Sequence, residues 1–550
     1  MSSAPLAVSD AFRDSIATAS LYPQNLVERF TYSATLKAYH ARLQKVTRLL
    51  VTQESETEVA LRDYNEGASK FQRQKVRSLQ ELRQYLGVEQ GPTAPNATNP
   101  PSRNGQGLDL TFSRKDPRCR FVFIYGNHSR ARLRITEPML KELLSYHQVM
   151  ANYLDFVFLF GQSSAPNDMR FSGFREQTYL RSPVTPKGLE KLGRSGRGYE
   201  VSYNLKTVQL KNEDDPASWS VRQAGLYHAF DVSYGTTTWA ITRALSNGKN
   251  DLKERIEELT GPAGRLEDRN FDKAEDCFRS SLSIHSIMIH WASESWRWYL
   301  QWLDEMVEEE TKHVVYGTRD KASKGRKQYT AEDIQRVQRL EDSVNEVNLV
   351  VDGNIGVIIA LSEYYSSIVA NNEWPLPSSC AEYVHIFAKQ AKNAVYDSKM
   401  QSARARALAR HTGERKNLIL QYVQAQTAEN MEDLTKSTYY VGISAQKEAI
   451  TMRIITVVTL IYLPATFVST FFSTDVIKYQ NQGNGGDGSP TSLSSNSSQS
   501  SYSPLAMYRW LQISLPLTAV TLIVAFAAYT WQKNRQKLKN DEVLGSFGLV

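Results

Sequence analysis

Ile454–Phe472, IITVVTLIYLPATFVSTFF, runs 19 residues without a charge and is followed by Ser473, Thr474 and Asp475. An apolar run of about 18 residues or more is long enough to cross the ~30 Å hydrocarbon core of a bilayer as a helix. A second uncharged stretch, Leu511–Trp531, lies beyond a Ser/Asn/Gly-rich connection, and nothing upstream comes close to either. The chain therefore reads as a large water-facing region carried on a C-terminal pair of membrane helices.

The rest of the composition fits that division. The chain has 550 residues, room for about two to four domains at ~100–200 residues each. Mean hydropathy is −0.44, so most of the chain is of soluble type. The net charge of +7 is modest and is not gathered into a nucleic-acid-like block. It suits an anionic membrane surface as well as it suits solubility. Three widely spaced cysteines, Cys119, Cys277 and Cys380, argue against a disulfide framework or a zinc module. They fit a reducing compartment. MSSAPLAVSDAFRDS lacks the basic and apolar regions of a secretory signal, so insertion is expected to rely on the C-terminal spans.

In order along the chain, 1–107 reads as an N-terminal helical region and linker. Helical spacing of Leu43, Val46, Leu49 and Leu50, and of Leu79, Leu82 and Leu86, predicts a helical hairpin over Phe30–Tyr85. Gly91–Gly107 is a Pro/Gly/Asn-rich linker. Residues 108–378 read as a mixed α/β domain. Its expected strands are Cys119–Tyr125, Tyr199–Leu210, Gly225–Val232 and Thr238–Ile241, with a turn at Asp214, Asp215 and Pro216. A helix is expected over Thr136–Phe160, with Thr136 as N-cap and Pro138 in its first turn. Phe278–Val307 holds Trp291, Trp296, Trp298 and Trp302. This cluster reads as a packed helical core in preference to a ligand box, because large aromatics carry the most burial per residue. Ala322–Lys327 is a small basic loop, Ala331–Ile368 a long helix, and Trp374-Pro375-Leu376-Pro377 ends it.

Residues 379–453 then form a long stalk helix. Its irregular apolar stripe, Val384, Phe387, Ala391, Leu408, Ile419, Tyr422, Val423, Leu434 and Val441, must pack on the preceding helices or on other copies of itself. The first span is 454–472, the outer flexible loop 473–509, the second span 510–531 and the basic tail 532–550. Within the loop, Gln480–Ser503 cannot form a packed core, and Asn496-Ser497-Ser498 is a weak glycosylation signal. Tyr508, Trp510, Tyr529 and Trp531 flank the second span as interfacial aromatics. Lys533, Arg535, Lys537 and Lys539, with Lys436, Lys447 and Arg453 before the first span, face only Lys478 and Arg509 in the loop. The positive-inside rule then puts both termini on the cytoplasmic or matrix side.

Catalytic motifs are missing: no P-loop, no Gly-x-Ser-x-Gly, no His-Glu-x-x-His and no paired cysteines, so the chain is not expected to be an enzyme. His285 and His290 read as core residues, not metal ligands, and Gly193, Gly196 and Gly198 as a loop. The first span is different. Thr459, Leu463, Thr466 and Thr470 recur at spacings of 4, 3 and 4 and share one helical face. Continued downwards, that face reaches Thr456, Met452 or Arg453, and Ala449. Such a stripe has two readings. Threonines bond back to their own helix or hold helix pairs together, or the stripe lines a water-filled pore at the centre of an oligomer. Asp475, just beyond its outer end, would then form a ring of carboxylates. One pair of spans cannot enclose a pore, so this second reading requires several copies.

A soluble helix running into a proline-containing span, an outer loop, a second span and a basic tail resembles the CorA-type magnesium channel family. Leu463-Pro464-Ala465-Thr466-Phe467 stands at that family's Pro-Leu-Thr-Phe position. Tyr462–Phe467, with Phe471-Phe472-Ser473, is similar to the fungal CorA-like transporter-domain proteins. CRFVFIY, LLSYHQVMANYLDFVFLFG and WSVRQAGLYHAFDVSYGTTTW also resemble the soluble domain of that group. The resemblance implies an α+β cytoplasmic domain, a long stalk helix and two C-terminal transmembrane helices, assembled as a homopentamer in membrane lipid. It implies a pore lined by Thr459, Leu463, Thr466 and Thr470, with an apolar gate at Met452 and Ile455. The family's Gly-Met-Asn signature aligns with Ser473, Thr474 and Asp475, which makes these the selectivity mouth and Asp475 the candidate metal contact. An inner-pore asparagine of the family aligns with Ala449, and the short acidic outer loop is replaced by a long Ser/Asn-rich one.

The expected function is passive flux of a divalent cation, Mg²⁺ first, with no cofactor and no nucleic-acid partner. The alternative is a membrane-anchored interaction or signalling protein that kept the architecture without conduction, a reading favoured by the missing Gly-Met-Asn.

Overall fold

In the computed structural model, the described residues are 5–28, 30–45, 47–90, 110–162, 170–181, 189–210, 218–245, 251–316, 328–473 and 504–547. They form two compact units, Met1–Val423 and Gln424–Val550.

The first unit is built on one sheet covered on both faces. Its N-terminal part holds helices α1 (Asp10–Ala17) and α2 (Ser33–Lys45), strands β1 (Val59–Tyr64) and β2 (Gln72–Val76), helix α3 (Leu79–Leu86), and strands β3 (Val88–Gln90) and β4 (Leu110–Phe112). Strand β5 (Cys119–Gly126), helices α4 (Glu137–Tyr146) and α5 (Leu154–Val157), and strands β6 (Phe174–Tyr179), β7 (Gly198–Leu210), β8 (Trp219–Asp231) and β9 (Thr237–Ala244) follow. The main sheet has the order β2-β1-β5-β9-β8-β7-β6, and β3 pairs with β4 separately. Only β5 and β9 run parallel; every other neighbouring pair in the sheet is antiparallel.

Apart from Arg120, the CRFVFIY run is apolar because each face of β5 meets a different core. Cys119, Phe121, Phe123 and Tyr125 join one cluster, and Val122 and Ile124 join the other. Alternation sends successive side chains to opposite faces, and cover on both faces leaves no position for a solvated residue. Helices α1 to α5 supply the second cluster. Helices α6 (Asp251–Leu259), α7 (Ala274–Ser293), α8 (Trp296–Tyr316) and α9 (Ala331–Val369), with the first part of α10 (Ser379–Ser473), supply the first.

Three expectations change here. The helical hairpin over Phe30–Tyr85 is replaced by α2, a β-hairpin and α3. Pairing of Ala60 with Phe123 and Leu61 with Val122 draws β1 into the sheet. Tertiary pairing thereby overrides the straight-chain, charged composition that suggested a helix. Charged β2, exposed at four of its five positions, closes the sheet edge. The helix over Thr136–Phe160 stops at Tyr146, and α5 follows only after a turn. Gln148 takes a positive φ of 51°, and its side-chain amide donates to Ser145 O at 2.6 Å and Ser15 Oγ at 2.9 Å while accepting from Val27 N at 2.9 Å. Thr136 precedes the helix without a side-chain cap bond.

Two further differences concern apolar residues. An 18-residue window within α9 has a mean hydropathy of 1.4, so one upstream segment does approach the spans in composition. That window is 44% buried because Val344, Val347, Val350, Val351, Ile358 and Leu361 pack into the first core. Trp291 and Trp296 are core residues as expected, whereas Trp298 points outward at 57% exposure. His285 is buried, bonded to Tyr203 Oη at 2.6 Å, Tyr365 Oη at 2.7 Å and His228 Nδ1 at 3.2 Å. The expected Gly91–Gly107 linker, the turn at Asp214–Pro216, the loop Ala322–Lys327 and the stretch Gln480–Ser503 lie outside the described residues.

Helix α10 changes surroundings along its length. Val384, Phe387, Ala391 and Leu408 enter the first core, and Ile419 packs with Tyr329 and Val337. Beyond Val423 the stripe is bare, with Leu434 61% and Val441 67% exposed. In the second unit, the most apolar windows of α10 and of Met507–Trp531, with mean hydropathies of 1.7 and 2.0, are each only 6% buried. The latter belongs to α11 (Pro504–Phe547).

Candidate ion pathway

Between Thr451 and Thr470, the side chains withdrawn from solvent are Leu460, Pro464, Ala465 and Val468. Leu460, Pro464 and Val468 recur every four residues and form one stripe. On α11 the less exposed positions are Trp510, Ser514, Thr518, Thr521, Ala525 and Thr530. Trp510 Nε1 donates to Ser469 Oγ at 3.1 Å, a bond that joins the two helices on the side of these covered positions. Small and hydroxyl-bearing residues let two membrane helices approach closely where no hydrophobic drive exists between them. The sequence reading overlooked this face, although Ser514, Thr518, Thr521 and Ala525, at spacings of 4, 3 and 4, carry the same signal as the stripe on the first span.

Thr459, Leu463, Thr466 and Thr470 are all exposed. At 100° per residue their stripe lies roughly 140° around α10 from the face that meets α11. The proposed pore face and the helix-pair contact are thus on opposite sides, and Met452 and Ile455, 63% and 54% exposed, continue the former. Within one chain the threonine stripe therefore does not face α11.

The hydroxyls themselves are engaged. Thr459 Oγ1 donates to Ile455 O at 2.7 Å, Thr466 Oγ1 to Tyr462 O at 2.9 Å, and Thr470 Oγ1 to Thr466 O at 2.7 Å. Ser473 Oγ donates to Thr470 O at 3.0 Å. Each hydroxyl oxygen keeps its lone pairs, so the face is lined with acceptors while its donors are spent on the helix. Thr474 and Asp475 lie outside the described residues. Among the described residues no group of three or more His, Cys, Asp or Glu side chains could hold a metal ion.

Buried ion groups in the first unit were not legible in the sequence. Arg120 forms a bidentate pair with Asp63, Nε to Oδ1 at 2.9 Å and Nη2 to Oδ2 at 2.7 Å. Its Nη1 lies 3.7 Å from Asp116, which also accepts from Arg194 Nε at 2.7 Å. Burial works to raise the Asp116 carboxyl pKa, but Arg194 and Arg120 hold it below the usual range.

A family profile described as CorA-like transporters matches residues 14–315, more than half of the chain. Among curated proteins no sequence match was found. Of the solved structures, the complete CorA magnesium transporter from Methanocaldococcus jannaschii is 10% identical, with 86% of this chain and 98% of that chain covered, at a TM-score of 0.35. The soluble domain of CorA from the same organism is 11% identical over 56% of this chain and 89% of its own, at a TM-score of 0.30. The full-length CmaX protein is 12% identical over 61% and 74%, at a TM-score of 0.22. On the match over residues 14–315, the chain belongs to the CorA-like transporters.

Proposed function

We propose that this chain conducts divalent cations, Mg²⁺ first among them, down the membrane potential through a homo-oligomeric pore lined by its first span. Thr459, Leu463, Thr466 and Thr470 form the lining, Met452 and Ile455 the gate, and Ser473, Thr474 and Asp475 the mouth, with Asp475 as the ion's contact. The observation that supports this most is the exposed hydroxyl face set opposite the contact with α11. A line of acceptor oxygens suits a hydrated cation, and Mg²⁺ gives up its water reluctantly. The potential supplies about 4.6 kcal/mol per 100 mV for a doubly charged ion, twice the ~2.3 kcal/mol of one charge.

The second reading is a non-conducting membrane anchor. It is supported by Ser473-Thr474-Asp475 in place of Gly-Met-Asn and by threonine hydroxyls that donate to carbonyls of their own helix. Flux of Mg²⁺ into liposomes holding the purified full-length protein separates the two. The parent should pass Mg²⁺, and Asp475→Lys should nearly abolish flux at low ionic strength, where screening of a charge ring is weakest. A parent that assembles in the bilayer and passes no divalent cation sinks the channel reading. A lysine variant that conducts like the parent removes the ring.

A further inference from the structure

Arg62 stands on β1 between Ala60 and Tyr64, both members of the first core, and is only 4% exposed. Its guanidinium lies 4.2 Å from the centroid of Phe71, and Nη1 donates to Thr260 Oγ1 at 2.5 Å. Nε is buried with no hydrogen-bond partner. The fully buried Arg120 and Arg243 are each held by an aspartate, Asp63 and Asp251 respectively. Arg62 has no carboxylate within ion-pair distance among the described residues. Glu257, the acid whose field reaches it, is bonded to Arg73 Nη2 at 3.1 Å. Burial without a counter-ion brings the Arg62 pKa down to about 10. A buried charge left in this condition is costly unless something pairs with it.

The same guanidinium lines a cavity of about 600 Å³ between the β1–β2 hairpin and the segment joining α6 to α7. Lys70, Arg73 and Arg269 line it too, against the carboxylates Glu257 and Asp272, so four cations face two anions. That volume lies within the ~300–1,000 Å³ typical of small-molecule sites. A planar guanidinium with free donors matches the paired oxygens of a phosphate, and an excess of two positive charges suits a dianion better than a single carboxylate.

We propose that this cavity binds a phosphate-bearing small molecule, with its phosphate against Arg62 and with Lys70 and Arg269 at the rim. The site lies wholly within the first unit and is independent of whether the chain conducts.

Calorimetric titration of the full-length protein in detergent tests it, with chelator present so that no phosphate–metal complex forms. The probes are inorganic phosphate, ATP and inositol trisphosphate, which distinguish free phosphate, a nucleotide and a lipid headgroup as the source. At least one should bind saturably at about 1 mM or tighter. Arg62→Leu, an apolar replacement that removes the buried charge, should weaken that binding about tenfold or more, and Lys70→Glu on the exposed rim should weaken it in a chain whose core is untouched. Failure of all three probes to bind below about 10 mM, or parental affinity in both variants, overturns the proposal.

Discussion

Arg120 and Asp63 show what a buried charge needs from its neighbours. The pair is 2% and 0% exposed at its side chains, so each ion depends chiefly on the other, with Asp116 at 3.7 Å from Arg120 and Arg114 at 3.8 Å from Asp63 as secondary partners. Asp63→Leu removes the bidentate partner of the guanidinium, leaving Asp116 at 3.7 Å, and should cost about 3 kcal/mol, read by chemical denaturation of the full chain. Asp63→Leu with Arg120→Met should cost much less, since both charges leave together; equal losses for the single and double variants would refute this account. His285 makes the opposite case, a base kept neutral. Burial brings its pKa down to about 3, and burial and then His285 lower that of His228 well below the ordinary value. The unfolded chain protonates these rings near ~6.5. It therefore binds more protons than the folded chain below that pH, and stability falls as pH falls from ~6.5, continuing for His285 until about 3. At pH 5 His285 alone should cost about 2 kcal/mol relative to pH 8, at ~1.4 kcal/mol per unit. Melting curves at the two pH values should show a smaller acid loss in His285→Phe than in the parent; an identical loss means that the ring does not set it.

At the scale of elements, α10 is where one helix serves two surroundings. Up to Val423 its apolar stripe is packed into the first unit, and from Met431 to Ile455 it stands uncovered, Met431, Leu434, Val441, Met452 and Ile455 all being more than half exposed. Exposed apolar rows of that kind call for copies of the same helix. In such an assembly Met452 and Ile455 would meet around the axis and form a constriction that stays dry when narrow. Ile455→Asn should admit water and raise basal Mg²⁺ flux in liposomes; an assembled variant with parental flux would leave these residues as packing. The legibility of the elements followed their physics. CRFVFIY could be read as a strand because a segment buried on both faces is apolar at nearly every position, Arg120 being the exception, and the spans because no other described helix is so apolar and so bare. The β1–β2 hairpin could not be read, since VALRDY and QRQKV owe their strands to β5 and to an edge position. The same holds for Arg62 and Arg120: a lone arginine in a strand looks solvated until the topology covers it. The threonine stripe was visible from spacing alone, but which side of the helix meets α11 required Leu460, Pro464 and Val468 to be seen covered.

For the molecule as a whole, the family match covers residues 14–315, within the first unit, and leaves the direction of the spans to physical argument. If both apolar helices cross, the segment joining them would return the chain to the side from which it started. The tail after the second span carries Lys533, Arg535, Lys537 and Lys539, and Lys436, Lys447 and Arg453 precede the first, whereas the loop between them carries only Lys478 and Arg509. Lysine and arginine near span ends are retained on the cytoplasmic or matrix side, because they resist transfer across the bilayer. Both termini should therefore share that side, with Gln480–Ser503 on the other. An inward potential would then draw cations from the loop side, past Asp475, towards the first unit. Protease added to sealed vesicles with the loop side outward should cut within Gln480–Ser503 and leave the fragment holding 1–423 intact until detergent is added. Cleavage of that fragment in sealed vesicles, with the loop spared, would reverse the orientation and with it the direction of cation entry. Cleavage on both sides of a single span would mean that only one of the two apolar helices crosses.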